Sequence, residues 1–313
     1  MVRRAGFEHL ALEDLCSEEH AAEYLSDLLL RRELLLLLGT GVSASVGLPG
    51  WEELVSHCES SVGFVPHTGG PRTSDELMRT VDRVHRELAN KSKDPSGAFE
   101  QLVREGLYSD PMRASGTYTT DVIEHRLLIA LGALVMASAR GSIADVFTLN
   151  FDDLLEWYLH LHGYRTQVVS DFPVELRGDV DLTVFHLHGF VPLLEHVYPT
   201  SDWLVLSHTQ LVARLAGGHD APWPTLLSSR FLSKSFLAIG TSMRDLDIDV
   251  LLTRALKARG GDAPLGFVVD AGIGRDRVAE LLDLGVVPVE MAGYDAIPDF
   301  LLSVCQRAAL RAG

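Results

Sequence analysis

Cysteine is scarce in this sequence: Cys16, Cys58 and Cys305 are the three in a chain of 313 residues. They lie far apart with no Cys-x-x-Cys pair, which argues against a disulfide scaffold and points to a reducing, cytoplasmic setting. A zinc site built from four cysteines is excluded by count. Basic residues are also in short supply, with 27 lysines and arginines against 43 aspartates and glutamates, for a net charge of −16. Phosphates would be repelled by such a surface, so direct nucleic-acid binding is a poor match. An anionic small ligand is still admissible, because backbone N–H groups at a helix start can hold phosphate inside an acidic protein. Long apolar runs are missing as well. The longest mostly apolar stretch, Leu127–Ala139, has thirteen residues and reads as a buried core helix rather than a membrane span. The opening MVRRAGFEHLALEDLC has early basic residues but no continuous apolar segment of a secretory signal. Repeats, low-complexity tracts and an obvious interdomain linker are likewise absent from the pattern.

What is present is an ordinary globular composition, 47% hydrophobic and 22% charged, sufficient for a large core. Residues 9–32 read as an amphipathic helix. The apolar run 33–38 stops at glycine; periodicity alone would allow it to end that helix, and the glycine-rich sequence after it decides for a buried strand. Between residues 52 and 140 the pattern gives helices near 52–60, 74–90, 97–105 and 120–139, with breaks at 66–71 and 94–97. Beyond residue 140 strands alternate with helices: strands at 145–148, 164–169, 183–187, 235–239, 265–269 and 286–290, and helices at 152–162, 207–216, 223–232, 245–259, 275–284 and 296–311. This alternation predicts an α/β fold, a Rossmann-like and mostly parallel sheet with helices on both faces. The expected organisation is a single domain over 1–313 carrying a helical insertion at 52–140.

Four segments carry chemistry. Gly39-Thr40-Gly41-Val42-Ser43, followed by Gly47, Pro49 and Trp51, comes after a strand and opens a helix. The glycines allow a tight turn and close approach of backbone to a pyrophosphate, and Ser43 adds a hydroxyl. The spacing is neither Gly-x-Gly-x-x-Gly, since position 44 is alanine, nor a Walker A loop, since no lysine follows; a plain strand–helix turn fits equally well. The second segment, Thr148-Leu149-Asn150-Phe151-Asp152 with Leu154, Leu155 and Glu156, stands at the carboxyl end of a strand, where open α/β sheets bind ligands. Helix capping also explains it, and the two roles are compatible if Asp152 caps and Asn150 faces the cleft. The third is His186-Leu187-His188-Gly189. Strand alternation puts both histidines on one face, and His188 before glycine fits an acid–base group. A structural histidine is the commoner outcome, and no third ligand accompanies the pair to suggest a metal. The fourth, Gly240-Thr241-Ser242 with Asp245, again follows a strand; it suits ribose or phosphate, or a simple turn.

In order and spacing these segments resemble the sirtuin-like superfamily, and within it the prokaryotic branch whose members consume NAD⁺ as effectors of anti-phage defence. Coverage runs from about residue 33 to 270. The resemblance implies NAD as substrate, with Asn150 and His188 as the catalytic pair. It implies Gly39, Thr40, Gly41 and Ser43 along the pyrophosphate, Gly240, Thr241 and Ser242 at the adenosine half, and Asp152 beside the cofactor. Asp270, at the end of a strand, falls where many sirtuins place a ribose-binding asparagine, and a carboxylate can accept from ribose hydroxyls. The four-cysteine zinc module of protein-deacylating sirtuins is absent, so no zinc is expected. Gly50-Trp51-Glu52 stands where those enzymes carry Asp-Phe-Arg, and the helical insertion fits the NAD⁺-hydrolysing branch better.

The implied reaction is cleavage of the nicotinamide–ribose bond to nicotinamide and ADP-ribose or a cyclic form. The implied setting is defence, with activity restrained by homo-oligomerisation or by a separate regulatory, ATPase or sensor protein. Three alternatives remain at this point: a non-catalytic module sensing NAD⁺ or ADP-ribose, an NAD-dependent protein deacylase, and an enzyme that ADP-ribosylates a target.

Overall fold

The computed structural model describes residues 6–65, 67–108, 122–172, 174–175, 177–193, 197–198, 200–201, 203–215, 222–241, 243, 246–259 and 263–313. Seven strands form one sheet: β1 (Leu34–Leu38), β2 (Asp145–Thr148), β3 (Thr166–Val169), β4 (Leu182–His186), β5 (Ser235–Ile239), β6 (Gly266–Ala271) and β7 (Val286–Met291). Their order is β3-β4-β2-β1-β5-β6-β7, and every neighbouring pair is parallel. The central strand shows why. Leu34–Leu38 is leucine throughout and fully buried, as a strand covered on both faces requires.

The leucines of β1 divide between two cores. Leu34, Leu36 and Leu38 join one and Leu35 and Leu37 the other. The first core is closed by α1 (Glu18–Leu30), α7 (Arg126–Val135), α8 (Leu154–Leu161) and α13 (Ile297–Ala312). The second is closed by α10 (Pro222–Ser233), α11 (Leu246–Arg259) and α12 (Arg275–Asp283). Between β1 and β2 the chain also forms α2 (Thr40–Ser45), α3 (Trp51–Ser61), α4 (Ser74–Lys91), α5 (Pro95–Tyr108) and α6 (Val122–Glu124), and α9 (His208–Leu215) lies between β4 and β5. Local signals set several starts. Ser17 accepts from the His20 N–H to begin α1, and Thr73 with Glu76 forms a capping box on α4.

The predicted architecture is the observed one, with differences at boundaries. The helix expected over 9–32 starts at Glu18, after a short 3₁₀ turn at Asp14–Cys16, because Ser17 is extended and caps it. The stretch expected as one helix over 120–139 is interrupted: His125 has extended backbone (φ −70°, ψ 117°) between α6 and α7. No helix among the described residues is long and apolar enough to cross a membrane.

The connections place the functional region. From β1 the chain crosses to β2 with α7 on the first core, whereas from β5 it crosses to β6 with α11 on the second. The carboxyl ends of β1 and β5 therefore mark the point where neighbouring strands send their crossovers to opposite faces, the usual crevice of a doubly wound sheet. Two turns meet there at backbone distance. The Gly39 N–H donates to the Ile239 carbonyl at 3.0 Å and the Gly41 N–H to the Gly240 carbonyl at 2.8 Å. A Cβ on Gly39 would lie 2.5 Å from the Gly240 oxygen, and one on Gly240, whose φ is +69°, would lie 2.6 Å from the Val42 nitrogen. Since the neighbouring atoms are main chain, neither turn can give way without moving a strand end. Gly39→Ala should accordingly destabilise the protein by about 1–3 kcal/mol, as overpacking does. Gly70→Ala, which meets nothing within 4 Å, should stay within about 0.5 kcal/mol of wild type. Urea unfolding of both checks this; equal midpoints would contradict the interlock.

Candidate active site

A cavity of about 1080 Å³ opens at the carboxyl ends of the strands. Gly39, Thr40 and Gly41 line it after β1, Leu149 and Phe151 after β2, and His188 after β4. Gly240 and Thr241 follow from β5, and Asp270 from β6. The opposite wall is helical and loop-built, and includes Trp51 of α3, Met78 of α4, His125, and Tyr294 beyond β7.

Asn150 sits between the lining residues Leu149 and Phe151, on the short connection from β2 to α8, and is 6% exposed. Three bonds hold it. Its N–H donates to Thr148 Oγ1 at 3.0 Å, and its amide Nδ2 donates to Ser43 Oγ at 2.8 Å. Its carbonyl accepts from His186 Nδ1 at 2.9 Å. The amide oxygen Oδ1 is buried with no partner. Ser43 in turn hydrogen-bonds Asp152. An ionised carboxylate only accepts, so the Ser43 proton goes to Asp152 and the Ser43 oxygen is left to accept from Asn150. That direction fixes the amide: Nδ2 faces Ser43, and Oδ1 is the end left over. A buried acceptor without a donor costs stability unless a ligand or water supplies one.

Asp152 also accepts from the Leu154 N–H at 3.2 Å; it stands one residue before the N-cap of α8, which is Asp153 and makes no side-chain cap bond of its own. Burial pushes the Asp152 carboxyl up to about 6, partly offset by the bonds from Ser43 and Leu154. Asp270 is half-buried at the end of β6, and burial raises its carboxyl as well.

His188 and His186 have different surroundings. β4 ends at His186, which stays in register opposite Thr148 and is fully buried. His188 lies beyond Leu187 in a turn and lines the cavity, its ring 6.5 Å from that of Phe151. Gly189 has φ +100°, and a Cβ there would lie 2.5 Å from the Trp203 oxygen. The alternation expected to put both histidines on one face therefore stops where the strand stops.

Of the residues singled out in the sequence, Gly39, Thr40, Gly41, His188, Gly240, Thr241 and Asp270 line the cavity. Asn150, Ser43 and Asp152 do not: Asn150 lies between the lining residues Leu149 and Phe151, Ser43 holds its amide, and Asp152 is bonded to Ser43. Ser242 and Asp245 lie outside the described residues. Sequence reasoning passed over His125 and Tyr294, both in the wall. His125 was hidden inside a stretch with helical periodicity; its ring Nε2 bonds the Ser45 carbonyl at 3.2 Å. Among the described residues no group of three or more His, Cys, Asp or Glu is arranged to hold a metal ion.

Residues 144–287 match the family profile described as SIR2-like domain. The matched interval contains Asn150, Asp152, His188, Gly240, Thr241 and Asp270, while the Gly39 turn precedes it. The NAD(+) hydrolase ThsA of Acinetobacter baumannii (strain 532279) is similar to this chain, 22% identical over 224 residues. The alignment covers 70% of this chain and 38% of the relative, so the chain spans well under half of that protein's length.

The buried Asp152 gives a pH signature. With a folded value of about 6 against an ordinary 3.8, its protonated form is the one folding favours. The associated stability is complete below pH 3.8 and is lost as pH rises through 6, an effect of roughly 3 kcal/mol. Asp152→Asn removes the charge while keeping an acceptor oxygen for the Leu154 N–H. Its melting temperature relative to wild type should rise between pH 4 and pH 8; a difference independent of pH would contradict the assignment.

Proposed function

We propose that this chain, whose residues 144–287 match the SIR2-like domain profile, hydrolyses NAD⁺ at the nicotinamide–ribose bond, giving nicotinamide and ADP-ribose. The observation that carries this reading is the buried, unpartnered Oδ1 of Asn150, whose chain neighbours Leu149 and Phe151 line the same cavity as His188. The match to a protein named as an NAD(+) hydrolase supports the same substrate.

In this reading the bond from the ribose C1′ to the nicotinamide nitrogen breaks, and its electron pair neutralises the pyridinium. The leaving group needs no proton. Charge develops at C1′ as in an oxocarbenium ion. A water oxygen bonds to C1′, and its proton passes to His188. Asn150 Oδ1, an acceptor only, takes a hydrogen bond from that water or from a ribose hydroxyl and fixes it for attack. Gly39, Thr40 and Gly41 run along the pyrophosphate, Thr241 and Ser242 meet the adenosine half, and Asp270 accepts from ribose hydroxyls. Ser43 and Asp152 act through Asn150 rather than on the ligand. Residues 1–313 act as one NAD-binding domain with a helical insertion at 52–140, from which Ser74, Met78 and His125 line the cavity. The biological setting, from the resemblance of the motifs, is an effector of defence whose activity is held back by self-association or a regulatory partner.

Purified protein incubated with NAD⁺ and followed by chromatography should release nicotinamide and ADP-ribose without any acylated peptide. Asn150→Ala and His188→Ala should each lower turnover by about 10²–10⁴-fold with the fold retained. Full turnover in both variants would remove the assignment, and tight NAD⁺ binding with no turnover in wild type would favour a sensing module instead.

A further inference from the structure

Two ionisable side chains behind Asn150 take no part in the reaction as written. His186 Nε2 lies 2.7 Å from Glu156 Oε1, with both side chains 1% exposed. The other ring nitrogen, Nδ1, lies 2.9 Å from the Asn150 carbonyl. A carbonyl oxygen only accepts, so Nδ1 carries a hydrogen, and Glu156 holds the opposite side of the ring. The ring also packs on Phe190, centroids 4.1 Å apart. Asp152 and Asp153 are buried nearby, 5% and 0% exposed. Taking such a pair out of water is costly, and an apolar pair of the same shape is often as stable. Neither group is among the residues that line the cavity.

The geometry points to a positioning role: Glu156 orients His186, whose Nδ1–H holds the Asn150 carbonyl and so sets the place of the Asn150 side chain. This rests on the NAD⁺-hydrolase reading. The residues involved come from different elements. Thr148 ends β2 and Asn150 follows on the connection to α8, His186 ends the neighbouring β4, and Glu156 lies in the first turn of α8. The pair thus ties the β2–α8 connection to the adjacent strand. Ser43 of α2 holds the same residue by its amide nitrogen. Held at the main chain from one side and through Nδ2 from the other, Asn150 has Oδ1 as its buried atom left without a partner. His186 is a support for a group that touches substrate, and its effect should appear in the chemical step rather than in binding.

Replacement of Glu156 separates positioning from charge. In Glu156→Gln the new amide can donate to Nε2 of a neutral ring, so Nδ1–H still meets the Asn150 carbonyl. In Glu156→Asp the charge remains but the carboxylate withdraws by one methylene. The double variant Glu156→Leu/His186→Phe keeps an apolar ring in place, leaves no buried charge unpaired, and removes the donor to Asn150. The measurements are kcat for NAD⁺ cleavage and the NAD⁺ dissociation constant, with melting temperature as control. Glu156→Gln should stay within about threefold of wild type in both, Glu156→Asp should lose about tenfold in kcat, and the double variant about 10²-fold, with affinity nearly unchanged. If the double variant does not fold, the order of Gln above Asp decides. Wild type that cleaves NAD⁺ while Asp equals or exceeds Gln, or variants that lose only melting temperature, would overturn the positioning role alone. Wild type that does not cleave NAD⁺ would overturn the hydrolase reading and this role with it.

Discussion

Where β1 and β5 end, main chain touches main chain, and the rest of the site is arranged around that contact. Two parallel neighbours sending their crossovers to opposite faces leave a crevice at their carboxyl ends. The width of that crevice on the strand side is set by how closely the turns approach. With Gly39 and Gly41 against Gly240, the approach is limited by the Gly240 main chain and, at Gly39, by the Cα and Cβ of Thr241, and the paired N–H···O bonds at 2.8 and 3.0 Å lock it. The glycines are therefore needed first for the protein's own packing. Their exposure to the cavity follows from the same contact, since a turn without side chains presents its peptide groups to whatever occupies the space above.

Polar groups behind this wall form one connected set. Asp152 receives the Ser43 hydroxyl and the Leu154 N–H, Ser43 receives the Asn150 amide, and the Asn150 carbonyl receives His186, which rests on Glu156. Three carboxylates at and just before the start of α8, Asp152, Asp153 and Glu156, would be costly to bury together. Burial alone would lower the His186 pKa, but the Glu156 carboxylate reverses that and shifts it upward, so the ring eases the burial of the acids around it. The helix start contributes as well, because its N–H groups and dipole favour negative charge. A set so fully bonded has few ways to rearrange. It is in this context that a single unpartnered oxygen on Asn150 stands out as a place prepared for something else.

Much of the fold was readable from the sequence, and the reasons lie in particular residues. The leucine run before Gly39 leaves little choice but a strand buried on both faces, and the alternation after residue 140 leaves little but a parallel sheet. Boundaries were read less well. Ser17 stops α1 from extending backwards, and His125 turns out of helical geometry within an unbroken apolar periodicity. Neither signal is visible to a count of apolar spacings. In the site, the residues on the strand ends were legible because topology alone sends them to one edge. Those on the far wall, His125 and Tyr294, are distant in sequence and follow no shared pattern. Roles were harder to read than places. Ser43 and Asp152 sit in the motif as if to meet a ligand, yet they face each other and Asn150, a relation of residues more than a hundred positions apart.

The two histidines of His186-Leu187-His188 show how such a division arises. Regular structure treats residues two apart as equivalent, and as long as the strand continues both would share one environment. The ladder ends at His186, whose register opposite Thr148 keeps it among Asn150, Glu156 and Phe190. One residue later the chain is bound for Gly189, which must take positive φ and must lack a side chain because the Trp203 carbonyl occupies that space. The bend that results carries His188 out of the sheet's periodicity and onto the cavity wall, where the Val205 N–H pins its carbonyl at 2.7 Å. A glycine forced by packing thus separates a buried histidine from a cavity-lining one, and the distinction belongs to the end of the strand rather than to either histidine's own chemistry.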